Sequence, residues 1–192
     1  MLFNQISGGV IALIIVGAVL LIIVLWYIGV MNKLRQLELK VDEAESGIDV
    51  ALTKRFDMLS KMLETTKGYA KHEAETLEKV VKWRNGIPNN ASLEEKAEFQ
   101  EQLNKVATGI NVVVERYPDL KANTVFLDLQ ASVRNAEEHL QAARRLYNAN
   151  VTKINHIIVT FPQSIVAGQI NMDKKPYFEA EEKKREDVEF KF

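Results

Sequence analysis

The chain has 192 residues, and its 25 Lys and Arg against 26 Asp and Glu leave a net charge close to zero at pH 7. Basic and acidic residues are interleaved and form no basic patch, which argues against a nucleic-acid partner. There is no cysteine, so disulfides, thiolate metal sites and cysteine nucleophiles are excluded. All charged residues follow residue 32, where they exceed the share of about a quarter that is typical of globular domains. This composition indicates exposed helices around a thin core.

The first element is an uninterrupted apolar stretch, residues 10–31, without a charged side chain. As an α-helix it is about 33 Å long, which matches the hydrocarbon thickness of a bilayer. Trp and Tyr near its end are typical of an interfacial aromatic belt. The stretch therefore predicts a transmembrane helix after a short tail, residues 1–9. The anchor positions along it are Val10, Ile14, Gly17, Leu21, Trp26, Tyr27 and Met31.

Two other interpretations of this stretch fit less well. Core helices of soluble proteins keep a polar stripe or have shorter apolar runs. A cleaved signal peptide has Lys or Arg before a shorter run, and residues 1–9 contain neither. Lys33, Arg35 and Lys40 follow the stretch closely, so the positive-inside bias predicts an outside N-terminus and a cytoplasmic C-terminal domain.

A first helix after the span is expected over residues 32–84. Its apolar positions start at Leu34 with alternating steps of three and four, as in a coiled coil, and pass through four-residue steps to Phe56 and on to Leu63. No proline precedes Pro88, and the pattern stops at the turn-forming residues 85–90. The span and this helix are thus predicted to form one continuous helix.

Two further helices are expected over residues 92–117 and 123–161. Ser92 and Glu95 form a capping-box pattern, whereas Asn123 or Thr124 can cap the third helix. The third helix has an apolar stripe from Phe126 to Phe161 with a double four-residue step, like the first helix. Matching periods predict that the first and third helices pack together.

The fold class is therefore all-α: a transmembrane helix that continues into an elongated, antiparallel three- to four-helix bundle, residues 32–172. Residues 163–172 predict a short helix or turn. A charged tail, residues 173–192, ends in alternating apolar and polar residues. It is either frayed or an extended segment docked on its own bundle or a neighbouring subunit. In the second case Val188, Phe190 and Phe192 are the candidate subunit contacts.

No residue pattern predicts an enzyme, a cofactor site or a metal site. His72 and Glu73 begin a zinc-protease pattern, but Thr76 stands where the second histidine would be required. His139 and His156 are expected on the surface or in a helix seam. Arg55 and Arg144 are expected to form ion pairs, the latter with Glu137 or Glu138 or with the first helix.

Several short segments, taken in order, resemble the LemA family of bacterial membrane proteins. The resemblance implies a single-pass protein of the bacterial inner membrane with an α-helical cytoplasmic domain and no established enzymatic activity. It also implies a link to membrane shaping, since some relatives are connected with intracellular membranes such as the magnetosome membrane. The segments that carry it are 54–59 (KRFDML), 67–73 (KGYAKHE), 115–123 (ERYPDLKAN) with Phe126, 143–148 (ARRLYN), Phe161-Pro162, 175–178 (KPYF) and Phe192.

Three hypotheses about function remain. The first is a non-enzymatic structural protein that forms homo-oligomers on the lipid bilayer and scaffolds or shapes it. The second is a partner or regulatory subunit of another membrane protein, such as a protease or sensor. The third is an enzyme, which a buried polar pocket with converging carboxylates or histidines would support.

Overall fold

The computed structural model describes residues 8–67 and 91–178 and contains five helices there. They are α1 (Gly8–Lys67), α2 (Leu93–Arg116), α3 (Pro118–Lys121), α4 (Thr124–Val159) and α5 (Gln163–Gln169). These two parts of the chain contain no β-strand. The predicted all-α fold with a long apolar N-terminal helix is confirmed.

Helix α1 is 60 residues long and has no break between Gly29 and Arg35. The sequence explains this continuity, because no proline interrupts it and the apolar stretch leads directly into the periodic apolar positions that begin at Leu34. Residues 68–84, the remainder of the predicted first helix, lie outside the described residues.

The predicted caps stand at the starts of α2 and α4. The backbone N–H of Glu95 donates to the Ser92 hydroxyl (3.2 Å), and the N–H of Ser92 donates to the Glu95 carboxylate (2.8 Å). These two bonds satisfy donors that the first turn of α2 would otherwise leave unpaired. Pro118 follows the end of α2 and begins α3, and Asn123 accepts a hydrogen bond from the N–H of Phe126 at the start of α4 (3.1 Å).

Contacts divide the chain into two units, each with its own core. The first unit comprises Met1–Val41 and Asn150–Pro176, and the second comprises Asp42–Ala149 and Tyr177–Phe192. In the first unit the buried residues include Leu34, Val41, Val151, Ile154, Val166 and Ala167. In the second they include Ile48, Leu52, Leu59, Phe99, Leu103, Ile110, Leu120, Phe126, Leu140 and Tyr147.

Polar contacts fix the direction of the helices in the second unit. Along α1, Glu45 contacts Lys96 and Arg55 contacts Asn104, so α1 and α2 run in the same direction. Arg55 also contacts Glu137 on α4. Besides burial, the carboxylates of Glu45 and Asp42 raise the pKa of Tyr147 further along α4, and these two residues lie earlier in α1. Helix α4 is therefore antiparallel to α1, which agrees with the predicted packing of these two helices.

The buried face of each long helix differs from the apolar stripe at particular positions. On α1 the structure buries Arg55 and Met62, while Phe56 and Leu63 are only half-buried. The buried positions continue the three–four alternation, so helical geometry places them toward the core although one of them is charged. At the other end of the pattern, Phe161 is 76% exposed because α4 ends at Val159.

Candidate functional site

The apolar part of α1 is a candidate membrane span. Its most apolar 18-residue window has a mean hydropathy of 3.1, and none of that window is buried. The seven anchor positions predicted from the sequence all lie on this helix, and the residues from Val10 to Trp26 are exposed. Tyr27 is the first half-buried residue along the helix. The apolar part of this helix has a surface suited to hydrocarbon, where the backbone groups of a helix are paired internally.

The part of α1 that follows the candidate span contacts the rest of the first unit through a hydrogen bond to its backbone and an ion pair. The Asn150 amide donates to the carbonyl of Lys40 (3.0 Å). The Asn155 amide both donates to the carbonyl and accepts from the N–H of Lys175, each at 2.8 Å, and the Lys175 ammonium lies 3.1 Å from Glu38. Hydrogen bonds from Lys175 and then Arg35 lower the pKa of the Glu38 carboxyl. These contacts tie the segment after α5 to α1 and α4.

In the second unit a buried arginine connects three helices. The Arg55 guanidinium donates through Nη2 to the side-chain Oδ1 of Asn104 on α2 (2.8 Å), and its Nε lies 2.9 Å from Glu137 Oε2 on α4. The geometry of the second contact is too bent for a hydrogen bond, so charge attraction dominates it. Burial lowers the pKa of Arg55, and the Glu137 carboxylate partly opposes this effect.

A second buried cation is held one turn after the start of α2. The Lys96 ammonium lies 2.7 Å from Glu45 Oε1 and 2.8 Å from Asp49 Oδ1, and only 3% of its side chain is exposed. Burial alone would lower the pKa of Lys96, but hydrogen bonds to Asp49 and Glu45 outweigh burial and raise it. Sequence reasoning did not single out Lys96. The feature of the sequence that could have identified Lys96 is its position three residues before Phe99, on the buried face of α2.

Beside Arg55 the surface opens into a polar cavity of about 490 Å³ between α2 and α4. The residues that line it are Gln100, Asn104, Ala107, Thr108, Asn111, Glu137, Gln141 and Arg144. The guanidinium of Arg144 lies 4.8 Å from the centre of the Phe178 ring, which is within the range of a cation–π contact. Burial lowers the pKa of Arg144, against the raising effect of Glu137. We call this feature the polar cavity.

The polar cavity contains one carboxylate and no histidine among its lining residues, so it lacks the paired acid and base of common hydrolytic sites. Within residues 8–67 and 91–178, no group of three or more His, Asp or Glu is placed to hold a metal ion. Arg144 lies close enough to Glu137 for their charges to interact, and Glu137 is one of the partners expected from the sequence. His139 and His156 are exposed, and His72 lies outside the described residues, as do Val188, Phe190 and Phe192.

Comparison with known proteins agrees with the motifs in the sequence. The chain is 30% identical over 164 residues to "Protein LemA" of Metamycoplasma hominis, an alignment that covers 85% of this chain and 75% of that protein. A sequence model of the LemA family matches residues 44–192, which include both buried cations, the polar cavity and the segment after α5. On this evidence the chain belongs to the LemA family.

Proposed function

We propose that this chain is a non-enzymatic, membrane-anchored structural protein that self-associates and scaffolds or shapes the membrane. The observation that supports the proposal best is the unbroken helix α1, which carries the candidate span and extends to Lys67. On this proposal, side-by-side packing of the charged parts of neighbouring molecules acts through a continuous helix on the spacing and tilt of their spans. A membrane responds to such constraints by bending.

Exposed apolar side chains on the second unit provide candidate contacts between copies. Val50 on α1 is 69% exposed, and Leu146 on α4 is 56% exposed. Val112, Val125 and Leu127 are exposed as well. Single exposed apolar residues are common on monomers, whereas apolar residues that adjoin on a surface mark contacts with another chain, and we propose that some of these residues form such a contact.

Self-association is tested by crosslinking the full chain in cells and by imaging it in mild detergent. We expect a ladder of self-crosslinked species that Val50→Asp and Leu146→Asp weaken several-fold. Thr53→Asp adds the same charge at a neighbouring exposed position and should leave the ladder unchanged. A uniform population of monomers at high concentration would contradict the proposal.

We further propose that the chain lies in the bacterial inner membrane with its N-terminus outside and its second unit in the cytoplasm. The support is the charge asymmetry around the span, with Lys33, Arg35 and Lys40 on one side only. The natural absence of cysteine permits a clean test with single cysteines. An impermeant maleimide should label Ser7→Cys in spheroplasts and Asp128→Cys only after lysis. The reverse labelling would overturn this orientation.

A second candidate function is that of a partner or regulatory subunit of another membrane protein, and the polar cavity favours it. Arg144 lines this cavity and Arg55 contacts two of its lining residues, Asn104 and Glu137, whereas Glu137 is the one carboxylate among the lining residues. An acidic side chain of a partner would complement that balance. A photocrosslinker placed at Thr108, an exposed residue of the lining, should then capture one dominant heterologous protein, whereas capture of the chain itself would favour the first function.

A further inference from the structure

The turn between α4 and α5 exposes three large apolar side chains. Phe161 is 76% exposed, Val159 54% and Ile165 52%. We call these three residues the apolar corner. They belong to the first unit, whose other large apolar side chains between Val151 and Ala167 are buried or half-buried. The corner therefore has a surface that the described part of the protein does not cover.

The position of the apolar corner follows from the register of α4 against α1 in the first unit. Asn150 donates to the carbonyl of Lys40, and α4 continues from there alongside the earlier part of α1. From Asn150 to Val159 the helix rises about 13 Å, and the same rise back along α1 from Lys40 ends near Met31. The corner thus lies level with the last turn of the candidate span.

Burial along α1 supports this register independently. The helix is exposed from Gly9 to Trp26, and its first half-buried residues are Tyr27, Val30 and Met31, followed by Leu34, which has no exposed surface. Covering therefore begins at Tyr27. In the first unit the end of α4, α5 and the segment up to Pro176 are available to cover this turn, and the register of α4 places its end there, so the corner lies beside the aromatic end of the span.

We propose that the apolar corner inserts into the interface of the lipid bilayer and forms a second membrane contact beside the span. The inference rests on the proposed membrane anchoring, and the occupant is the bilayer because the corner is continuous with the surface of the span. Aromatic and branched apolar side chains are favoured at this depth. Lys33 on α1 and His156 on α4 are exposed within about one turn of the corner, on the side away from the span, where lipid headgroups would lie. Two contacts fix the rotation of α1 about its own axis, which a single span leaves free.

The depth of single positions in a bilayer tests the proposal. Full-length variants with one cysteine each carry a nitroxide and are reconstituted into vesicles of phosphatidylcholine and phosphatidylglycerol. The positions are Ile165→Cys in the corner, Leu21→Cys in the span and Leu39→Cys as the control, which is apolar and at least as exposed as Ile165 but lies about 12 Å beyond Met31 along α1. Collisions with oxygen and with a water-soluble nickel chelate are compared by electron paramagnetic resonance.

We expect the ratio of oxygen to nickel collisions to be several-fold higher at Ile165 than at Leu39, and highest at Leu21. A water-like ratio at Ile165 with a high ratio at Leu21 would overturn the second contact and leave the anchor intact. A label at Ile165 that is immobilised and shielded from both reagents would also overturn it, in favour of a covering protein. A water-like ratio at Leu21 would refute the anchoring itself. A label at Phe161→Cys repeats the measurement at the most exposed corner position.

Discussion

The contact between Arg55 and Glu137 is asymmetric, and this predicts which partner is costlier to remove. The Arg55 side chain is 5% exposed, whereas that of Glu137 is 33% exposed. Removing one partner of a buried ion pair leaves an uncompensated charge, and the cost depends on whether that charge can reach water. Glu137→Gln strands a cation in the core, while Arg55→Met leaves a carboxylate that is already partly hydrated.

The expected losses in the free energy of unfolding follow from this difference in exposure. Loss of a partner in a fully buried pair costs about 3–5 kcal/mol. Because Asn104 still accepts a hydrogen bond from Arg55, we expect about 2 kcal/mol for Glu137→Gln. For Arg55→Met we expect about 1 kcal/mol or less, since a methionine of similar length fills the site. The double variant should match Arg55→Met, which gives a coupling energy of about 2 kcal/mol.

Urea unfolding of the full chain in mild detergent, followed by circular dichroism at 222 nm, measures these differences in the free energy of unfolding. Glu101→Gln is the control, because Glu101 forms an exposed ion pair with Lys105 (2.6 Å), and it should change stability by less than about 0.5 kcal/mol. If Arg55→Met proves the more destabilising change by 1 kcal/mol or more, the reasoning from exposure is refuted.

Three further predictions concern a cap, a titration and a docked segment. Ser92→Ala should lower stability by about 1 kcal/mol through loss of the capping box, whereas Ser132→Ala should have less effect, because that hydroxyl bonds only within its own helix. Burial raises the pKa of Tyr147 to about 12, so the folded state keeps its proton where the unfolded chain loses it. Stability should therefore fall from pH 10 to 12 more steeply in the wild type than in Tyr147→Phe, and equal slopes would refute the assignment. Asn155→Leu removes both bonds to the backbone of the following segment, so trypsin should cleave after Lys174 several-fold faster.

Local signals in the sequence account for most of the fold. The capping residues and the proline at position 118 determine the ends of α2 and the start of α4, because they act on backbone groups within one turn. The apolar period identifies the helices and the partnership of α1 with α4. The parallel direction of α1 and α2 has no such local signal, since it depends on which side chains meet across the unit, as Lys96 does with Asp49.

The buried polar residues were harder to predict for a physical reason. The apolar stripe in the sequence passes through Leu52, Phe56 and Leu63, yet the buried series in the same turns is Leu52, Arg55 and Met62. A charged residue on the core face is costly unless a partner is present, and the partners lie on other helices, distant in sequence. The same holds for Asn150, which is 6% exposed and bonds to the Lys40 carbonyl.

These buried polar groups select one register of the helices, which apolar packing alone does not do. Apolar stripes with a repeat of seven tolerate a shift of one helix against another by two turns, because each step meets a similar surface. Such a shift of α1 against α2 and α4 would remove Arg55 from both Asn104 and Glu137 and leave its charge unpaired in the core. The correct register is thus favoured by the cost of the wrong ones, even where the ion pair adds little net stability. In a protein proposed to transmit helix packing to a membrane span, a fixed register is what makes the span respond to that packing.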